Sequence, residues 1–153
     1  MDTLNLKRTD SSDPDFRLLI KELDADLRER NGDVMDVYDG HNVIEQIDTV
    51  VIAYLGTNPA GCGCFKNYDT DSVEVKRMYV RPYARGKGIS RMILSDLENW
   101  AKSLGFAYVV LETGSKQQEA LGLYKRAGYT NIPSYPPYID LPDSICFKKS
   151  LLG

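Results

Sequence analysis

The stretch SVEVKRMYVRPYARGKGIS, residues 72–90, joins an alternating run to a basic loop that carries two glycines. Ser72–Val80 alternates and is rich in β-branched residues, which predicts a strand ended by Pro82. From Gly88 the apolar positions recur at three and four residues, which predicts a helix closed by Gly105. A strand that turns into a helix leaves backbone N–H groups at the positive end of the helix dipole. The stretch is therefore either a solvated surface loop or a binding site for a phosphate-bearing ligand.

The other elements follow from the same kinds of pattern. They are, in chain order, a helix from Asp13-Pro14 to Asn31-Gly32, a strand at 49–55, a turn at 56–61 that makes GCGCF the return arm of a hairpin, a strand at 107–113, a helix at 117–127 and a strand at 144–151. The early strands read as antiparallel, whereas strand, helix, strand after Ser72 implies a right-handed crossover between parallel strands. We expect a mixed α+β class.

Composition limits the function classes. With 153 residues we expect a single domain over residues 1–153, and 19 Lys+Arg against 22 Asp+Glu gives no sign of nucleic-acid or membrane binding. Three cysteines and one histidine, His41, are too few for a disulfide framework or a four-ligand zinc site, so no metal is expected. The lack of a long apolar run predicts a soluble, cytoplasmic protein.

Two common phosphate-binding motifs fail on their spacing. A Walker loop needs Lys and Ser or Thr after its second glycine, but Gly61 is followed by Cys62 and Gly63. A dinucleotide fingerprint needs a third glycine after Gly86 and Gly88, and Arg91 stands in that place. The basic loop must therefore be explained by another motif.

Arg85-x-x-Gly88-x-Ser90 resembles the pyrophosphate motif Q/R-x-x-G-x-G/A of the GNAT superfamily of N-acetyltransferases. VEVKRMYV is similar to the central strand of that family, YVVLET to its next strand, and EALGLYKRAGY to its A-x-x-L-Y-x-x-x-G-[YF] helix. The resemblance covers Val73–Tyr129 and implies the GNAT fold, a mixed and mostly antiparallel sheet flanked by helices. Two departures are Ser90, in place of Gly or Ala, and Gln117, where many members have an Asn that contacts the cofactor.

The resemblance implies acetyl-CoA as cofactor and direct transfer of the acetyl group to an amine. The backbone of residues 85–91 would hold the pyrophosphate, and Val80 N–H would polarise the thioester carbonyl. By the same resemblance Gln117 and Tyr124 would also touch the cofactor. The full set of expected cofactor contacts is Met78, Tyr79, Val80, Arg85, Gly86, Lys87, Gly88, Ile89, Ser90, Arg91, Gln117 and Tyr124.

Amine activation and thiolate departure suggest catalytic residues. A lysine-like amine has a pKa near 10.4, so its deprotonation at pH 7 costs about 4 to 5 kcal/mol. Glu74 is a candidate base, because some members carry one there and alternation would place it on the face of Met78 and Val80; it could instead pair with a lysine. Glu112 is the second candidate, with the same alternative. Tyr124 matches the family's general acid, although a buried tyrosine can also be a core aromatic.

The sequence says least about the amine that accepts the acetyl group. In the family the loop before the last strand commonly walls the acceptor site, which makes Tyr135 and Tyr138 candidate contacts, unless the loop is only a packed surface hairpin. Lys76 could bind an acceptor carboxylate. We expect a small, amino-acid-like amine. A protein or peptide N-acetyltransferase and a non-catalytic CoA-binding sensor are the alternatives, and the family resemblance allows a homodimer.

Overall fold

The computed structural model describes residues 3–31 and 46–152. Within these ranges it contains one seven-stranded sheet of order β1-β2-β3-β4-β5-β7-β6 and three α-helices. The strands are Leu4–Thr9 (β1), Val50–Leu55 (β2), Asn58–Asn67 (β3), Ser72–Val80 (β4), Tyr108–Gly114 (β5), Thr130–Ile132 (β6) and Ser144–Ser150 (β7); the helices are Pro14–Asn31 (α1), Ile89–Ser103 (α2) and Gln118–Arg126 (α3). None of these helices has the length and apolar composition needed to span a membrane. His41 lies outside the described residues.

The sheet is mixed, as expected. β4 and β5 pair in parallel, with α2 as the crossover between them, and the other neighbours pair antiparallel. The predicted mixed α+β class and the strand, helix, strand order after Ser72 are confirmed. A parallel pair needs a connection of a dozen or more residues, and α2 supplies it.

Helices cover both faces of the sheet. On one face α1 packs through Phe16, Leu19 and Ile20 against β2 and β3, and these side chains are almost fully buried. On the other face α2 buries Ile93 and Leu97, and α3 buries Tyr124. The helical spacing of apolar residues in each sequence segment produces these two buried stripes. The sheet is therefore the middle layer of three.

Two strands and one turn were not predicted correctly. β1 is an edge strand whose residues alternate between exposed and half-buried, and β6 has only three residues, so neither carries a strong apolar pattern. The predicted turn at 56–61 is too long, because Leu55 already pairs with Asn58. Pro59 is tolerated in β3 because the pairing is irregular at Tyr54, its partner in β2.

The alternation expected along β4 is broken by a bulge. Cys62 pairs with Tyr79 and Cys64 with Lys76, so Arg77 and Met78 stand opposite one residue of β3. Arg77 takes a left-handed φ of 61°. The extra residue reverses the alternation.

The prediction that Glu74 shares a face with Met78 and Val80 is therefore wrong. Met78 and Val80 pack on the α2 face of the sheet. Glu74 lies on the opposite face, where Tyr135 contacts it. Because the side-chain period of a strand is two residues, one inserted residue moves every later side chain to the other face.

Candidate active site

A cleft opens where β4 and β5 separate. Their pairing runs from Ser72 with Tyr108 to Val75 with Leu111 and stops there, although β4 continues to Val80 and β5 to Gly114. The cavity between them has a volume of about 610 Å³ and is lined by both strands and by parts of all three helices. It lies at the carboxyl ends of two parallel strands, where ligands commonly bind in sheets of this kind.

Backbone amides of β4 face this cleft. Arg81 N–H donates to the Ala60 carbonyl of β3 at 2.8 Å, so alternation turns the Val80 peptide groups towards the opposite edge, which is the cleft. The Val80 carbonyl there accepts from Arg85 Nε at 2.9 Å. The Arg77 carbonyl is near Cys62 Sγ, at 3.5 Å, and because the N–H of a trans peptide points away from its C=O, Met78 N–H points away from Cys62.

The glycine loop forms one end of the cavity. Gly86 and Gly88 both have φ of 78°, a conformation that side chains disfavour, and a Cβ built at either position would meet no atom within 4 Å. The first turn of α2 has neither a side-chain cap nor an acidic residue. Arg85 and Arg91 line the cavity beside it, whereas Lys87 is exposed and is not part of the cavity wall. Open space, free amides and two guanidinium groups suit a phosphate-bearing ligand.

Two carboxylates, the buried Glu74 and the half-buried Glu112, lie near the point where the strands separate. Glu74 is 4 % exposed; its Oε2 accepts from the Tyr135 hydroxyl at 2.8 Å, and Lys76 Nζ is 4.0 Å from its Oε1. Glu112 Oε2 accepts from Ser144 Oγ at 2.6 Å. Burial raises the pKa of Glu112, and the charge of Glu74 raises it further. Burial likewise lowers the pKa of Lys76. Glu74 therefore has a hydroxyl donor and a lysine ammonium group beside it, and Glu112 has a hydroxyl donor.

Tyr124 lines the cavity from the α2 and α3 side of the sheet. Its ring packs edge-on against Tyr129, with centroids 5.8 Å apart, and obliquely against Phe147 at 6.0 Å. Burial raises the pKa of Tyr124 above its ordinary value, and the charge of Glu112 raises it further. The hydroxyl is therefore protonated throughout the neutral range, so Tyr124 is chemically a proton or hydrogen-bond donor.

Most residues predicted from the sequence come together in this one cavity. The wall includes Glu74, Lys76, Met78, Tyr79, Val80, Arg85, Gly86, Gly88, Ile89, Ser90, Arg91, Glu112, Gln117, Tyr124 and Tyr138. Tyr135, expected as an acceptor contact, is outside this wall and contacts Glu74 instead. The loop before β7, which carries Tyr135 and Tyr138, therefore also holds the Glu74 carboxylate. Tyr138 does reach the cavity and is almost fully buried.

Some wall residues had no signal in the sequence. Leu23, Asp26 and Leu27 of α1 line the cavity, and Asp143 contributes from the loop before β7. On the helical pattern the two leucines read as ordinary core positions, and only the packing of α1 across β4 brings them to the cleft. Among the described residues, no group of three or more His, Cys, Asp or Glu side chains is arranged to hold a metal ion.

Comparisons with known proteins agree with this geometry. Residues 14–129 match the Acetyltransferase (GNAT) family. An IAA acetyltransferase of Azospirillum brasilense is 35% identical over 141 residues, which cover 87% of this chain and 88% of that protein. A structure assigned to the acyl-CoA N-acyltransferases, from Klebsiella pneumoniae, has a TM-score of 0.81 and 26% identity and covers 98% of this chain and 99% of its own.

A more distant structure shows the same fold with a ligand. It is a GNAT family acetyltransferase from Elizabethkingia anophelis with acetyl-CoA bound. Its TM-score is 0.68 at 18% identity, and the match covers 98% of this chain and 99% of that one. At this identity the likeness concerns the fold.

Proposed function

Because the chain belongs to the GNAT family of acetyltransferases, we propose that it transfers the acetyl group of acetyl-CoA directly to the primary amine of a small molecule. The protein is an acetyl-CoA-dependent acyltransferase. One observation carries the proposal for its site: a single cleft joins the glycine loop, the free edge of β4, Glu112 and Tyr124. We assign these four to the pyrophosphate, the pantetheine chain, the base and the acid, respectively.

The cofactor-binding part consists of the amides of residues 86–91 and the free edge of β4; the Arg85 N–H already donates to the Pro82 carbonyl at 3.3 Å. The amides of the glycine loop, with Arg85 and Arg91, hold the pyrophosphate, and Gln117 borders the same cavity. The peptide groups of Val80 pair with the pantetheine chain as a further strand would. We assign the contact with the thioester oxygen to Met78 N–H, which points away from Cys62 of β3, rather than to the Val80 N–H expected from the sequence. Acetyl-CoA supplies an activated thioester and a thiolate leaving group.

Glu112 is the base in this proposal. The raised pKa of Glu112 brings it closer to the pKa of the amine that it must deprotonate, and Glu112 is less buried than Glu74. Glu74 is already engaged by the Tyr135 hydroxyl and lies close to Lys76, so we assign it to binding the acceptor ammonium group before deprotonation. The alternative, with Glu74 as base, is tested by comparing Gln variants at the two positions.

Tyr124 is the acid. The amine nitrogen loses a proton as the amide forms, and the departing sulfur gains one, so the reaction from a neutral amine is balanced in protons. Tyr124 donates to the sulfur and is reprotonated by the nitrogen or by water. The raised pKa makes Tyr124 a weaker acid than an exposed tyrosine, but it keeps the hydroxyl protonated at the neutral pH at which Glu112 must be ionised to act as base.

In this proposal the acceptor is a small amine, and the lining of the cleft supports it: Leu23 and Leu27 of α1 and Tyr138 contribute apolar and aromatic surface to the cavity. The experiment is a screen of small amines and lysine peptides that follows release of free thiol from acetyl-CoA. Turnover of peptides but not of small amines would support the protein acetyltransferase instead. Cofactor binding without turnover of either class would support the sensor.

Gly88→Ala tests the cofactor loop. A Cβ at φ of 78° disfavours the loop conformation and projects into the open space that we assign to the pyrophosphate, so KM for acetyl-CoA should rise about tenfold while kcat changes little. The matched control is Gly105→Ala, because Gly105 has φ of 95° just after α2 and does not line the cavity. It should lose stability with an unchanged KM. Equal KM values for both variants would contradict the assignment.

A further inference from the structure

Arg77 has an unusual backbone conformation in the part of β4 that borders the cleft. Among the described residues it is the one non-glycine with positive φ, at 61°, and it forms the bulge of β4. Such a conformation costs an arginine about 1 kcal/mol or more, so the surrounding structure must hold it. The next residue is Met78, whose N–H the bulge directs away from Cys62. Whatever holds Arg77 also fixes the direction of this N–H.

The Arg77 side chain is held by α1. Its Nη1 donates to Asp24 Oδ1 at 2.7 Å, and the side chain of Arg77 is only 6% exposed. A guanidinium so deeply buried depends on its carboxylate, because removing the partner leaves an uncompensated charge. The Asp24 side chain is 40% exposed, so the pair connects the outer side of α1 to the bulge of β4.

A second contact from α1 reaches the end of the same strand. Glu22 receives two hydrogen bonds from Arg81, at 2.9 and 2.6 Å, and one from the Tyr79 hydroxyl at 3.2 Å. Glu22 and Asp24 thus contact Arg77 and Tyr79 of β4 and Arg81 directly after it, in a segment that no longer pairs with β5. On its cleft side this segment has no strand to hold its position. The α1 carboxylates supply that restraint from the face of the sheet.

We propose that Asp24 is a positioning residue for acetyl transfer, acting through Arg77 to keep Met78 N–H directed at the thioester oxygen. The inference rests on the proposed function and adds to it a residue that touches neither cofactor nor acceptor. Small displacements of a group that stabilises the transition state lower kcat more than they weaken substrate binding. Loss of the pair should therefore appear in kcat.

The test is a double-mutant cycle with glycine at the bulge. Glycine adopts positive φ without cost, so Arg77→Gly should keep the bulge without any help from Asp24. We expect Asp24→Asn to lower kcat about tenfold, with KM for acetyl-CoA within about threefold of wild type. In the Arg77→Gly background the same Asp24→Asn change should have no effect on kcat. Arg77→Ala, which lacks the ion pair but keeps the backbone cost, should be slower than Arg77→Gly.

The control is Asp96→Asn, which removes another inter-element ion pair, the contact between Asp96 of α2 and Arg8, away from the cleft. It should leave kcat unchanged. An unchanged kcat for Asp24→Asn overturns the proposal, and so does an equal loss in the Arg77→Gly background. Should Asp24→Asn fail to fold, the comparison of Arg77→Gly with Arg77→Ala decides, and equal kcat values overturn it.

A readout without an acceptor separates this proposal from the proposed function. In ¹⁵N spectra of the labelled full chain, acetyl-CoA should shift the Met78 amide resonance, and the shift should shrink in Asp24→Asn and be retained in Arg77→Gly. An absence of turnover with every amine would reject the proposed acceptor while leaving this readout informative. A Met78 shift that is the same in wild type and Asp24→Asn overturns the positioning role.

Discussion

Replacing Glu112 with glutamine is expected to lower kcat by about 10³-fold at pH 7, within the range of general-base catalysis. The change keeps an oxygen that can accept from Ser144 Oγ but removes the group that takes the proton of the amine. Glu74→Gln is the matched comparison, because it removes the buried carboxylate on the adjacent strand β4, which lines the same cavity. It should mainly raise KM for the acceptor. A larger loss of kcat from Glu74→Gln than from Glu112→Gln would make Glu74 the base.

The pH dependence of the rate tests the same assignment. Burial raises the pKa of Glu112, and only the ionised form accepts a proton, so activity should fall as pH drops through a pKa above the ordinary glutamate value. This acidic limb should disappear in Glu112→Gln. If the residual activity of that variant kept the same limb, another group would be responsible for it.

The same substitution has a consequence for stability of the opposite sign. Because the folded pKa of Glu112 lies above the unfolded one, its contribution to stability is complete below the unfolded pKa and is lost as pH rises through the folded pKa. At pH 8 the charged side chain is therefore unfavourable in the fold. Glu112→Gln should raise Tm at pH 8 by about 2 to 4 °C and bring no gain near pH 4. A variant that is less active and also less stable at pH 8 would indicate general damage.

Tyr124→Phe is expected to lower kcat about 10²-fold with little change in affinity for acetyl-CoA. The ring keeps its packing against Tyr129 and Phe147, so the loss reports the hydroxyl alone. Tyr129→Phe is the control: its hydroxyl donates to Glu98 Oε2 at 2.7 Å, away from the cavity, so its removal should affect stability rather than kcat. Activity of Tyr124→Phe within about threefold of wild type across the neutral pH range would remove Tyr124 from the mechanism.

The sequence predicts correctly the strands and helices that have a long periodic pattern of apolar residues. The alternation of Ser72–Val80 and the helical spacing after Gly88 each contain enough residues to identify β4 and α2. β1 and β6 lie at the two outer edges of the sheet, are short and bury few side chains, so their apolar signal is weak.

For the candidate site, the sequence named the glycine loop, Tyr124 and Glu112 as candidates; Gly86, Gly88, Tyr124 and Glu112 all line one cavity, and their roles stay predictions. The sequence could not place Glu74 relative to Met78, because the bulge at Arg77 depends on contacts with α1, fifty-three positions earlier in the chain. For the same reason it could not assign Tyr135 to Glu74. Side-chain contacts between distant segments have no local signature.

The separation of β4 and β5 leaves two parts of the sheet, β1 to β4 and β5 to β7, whose strands pair directly at four positions, from Ser72 with Tyr108 to Val75 with Leu111. A molecule that hydrogen-bonds to β4 while contacting β5 would connect these two parts beyond their last pair. We therefore expect a ligand in the cleft to restrict the motion of the two parts relative to each other, out to the two outer edges of the sheet.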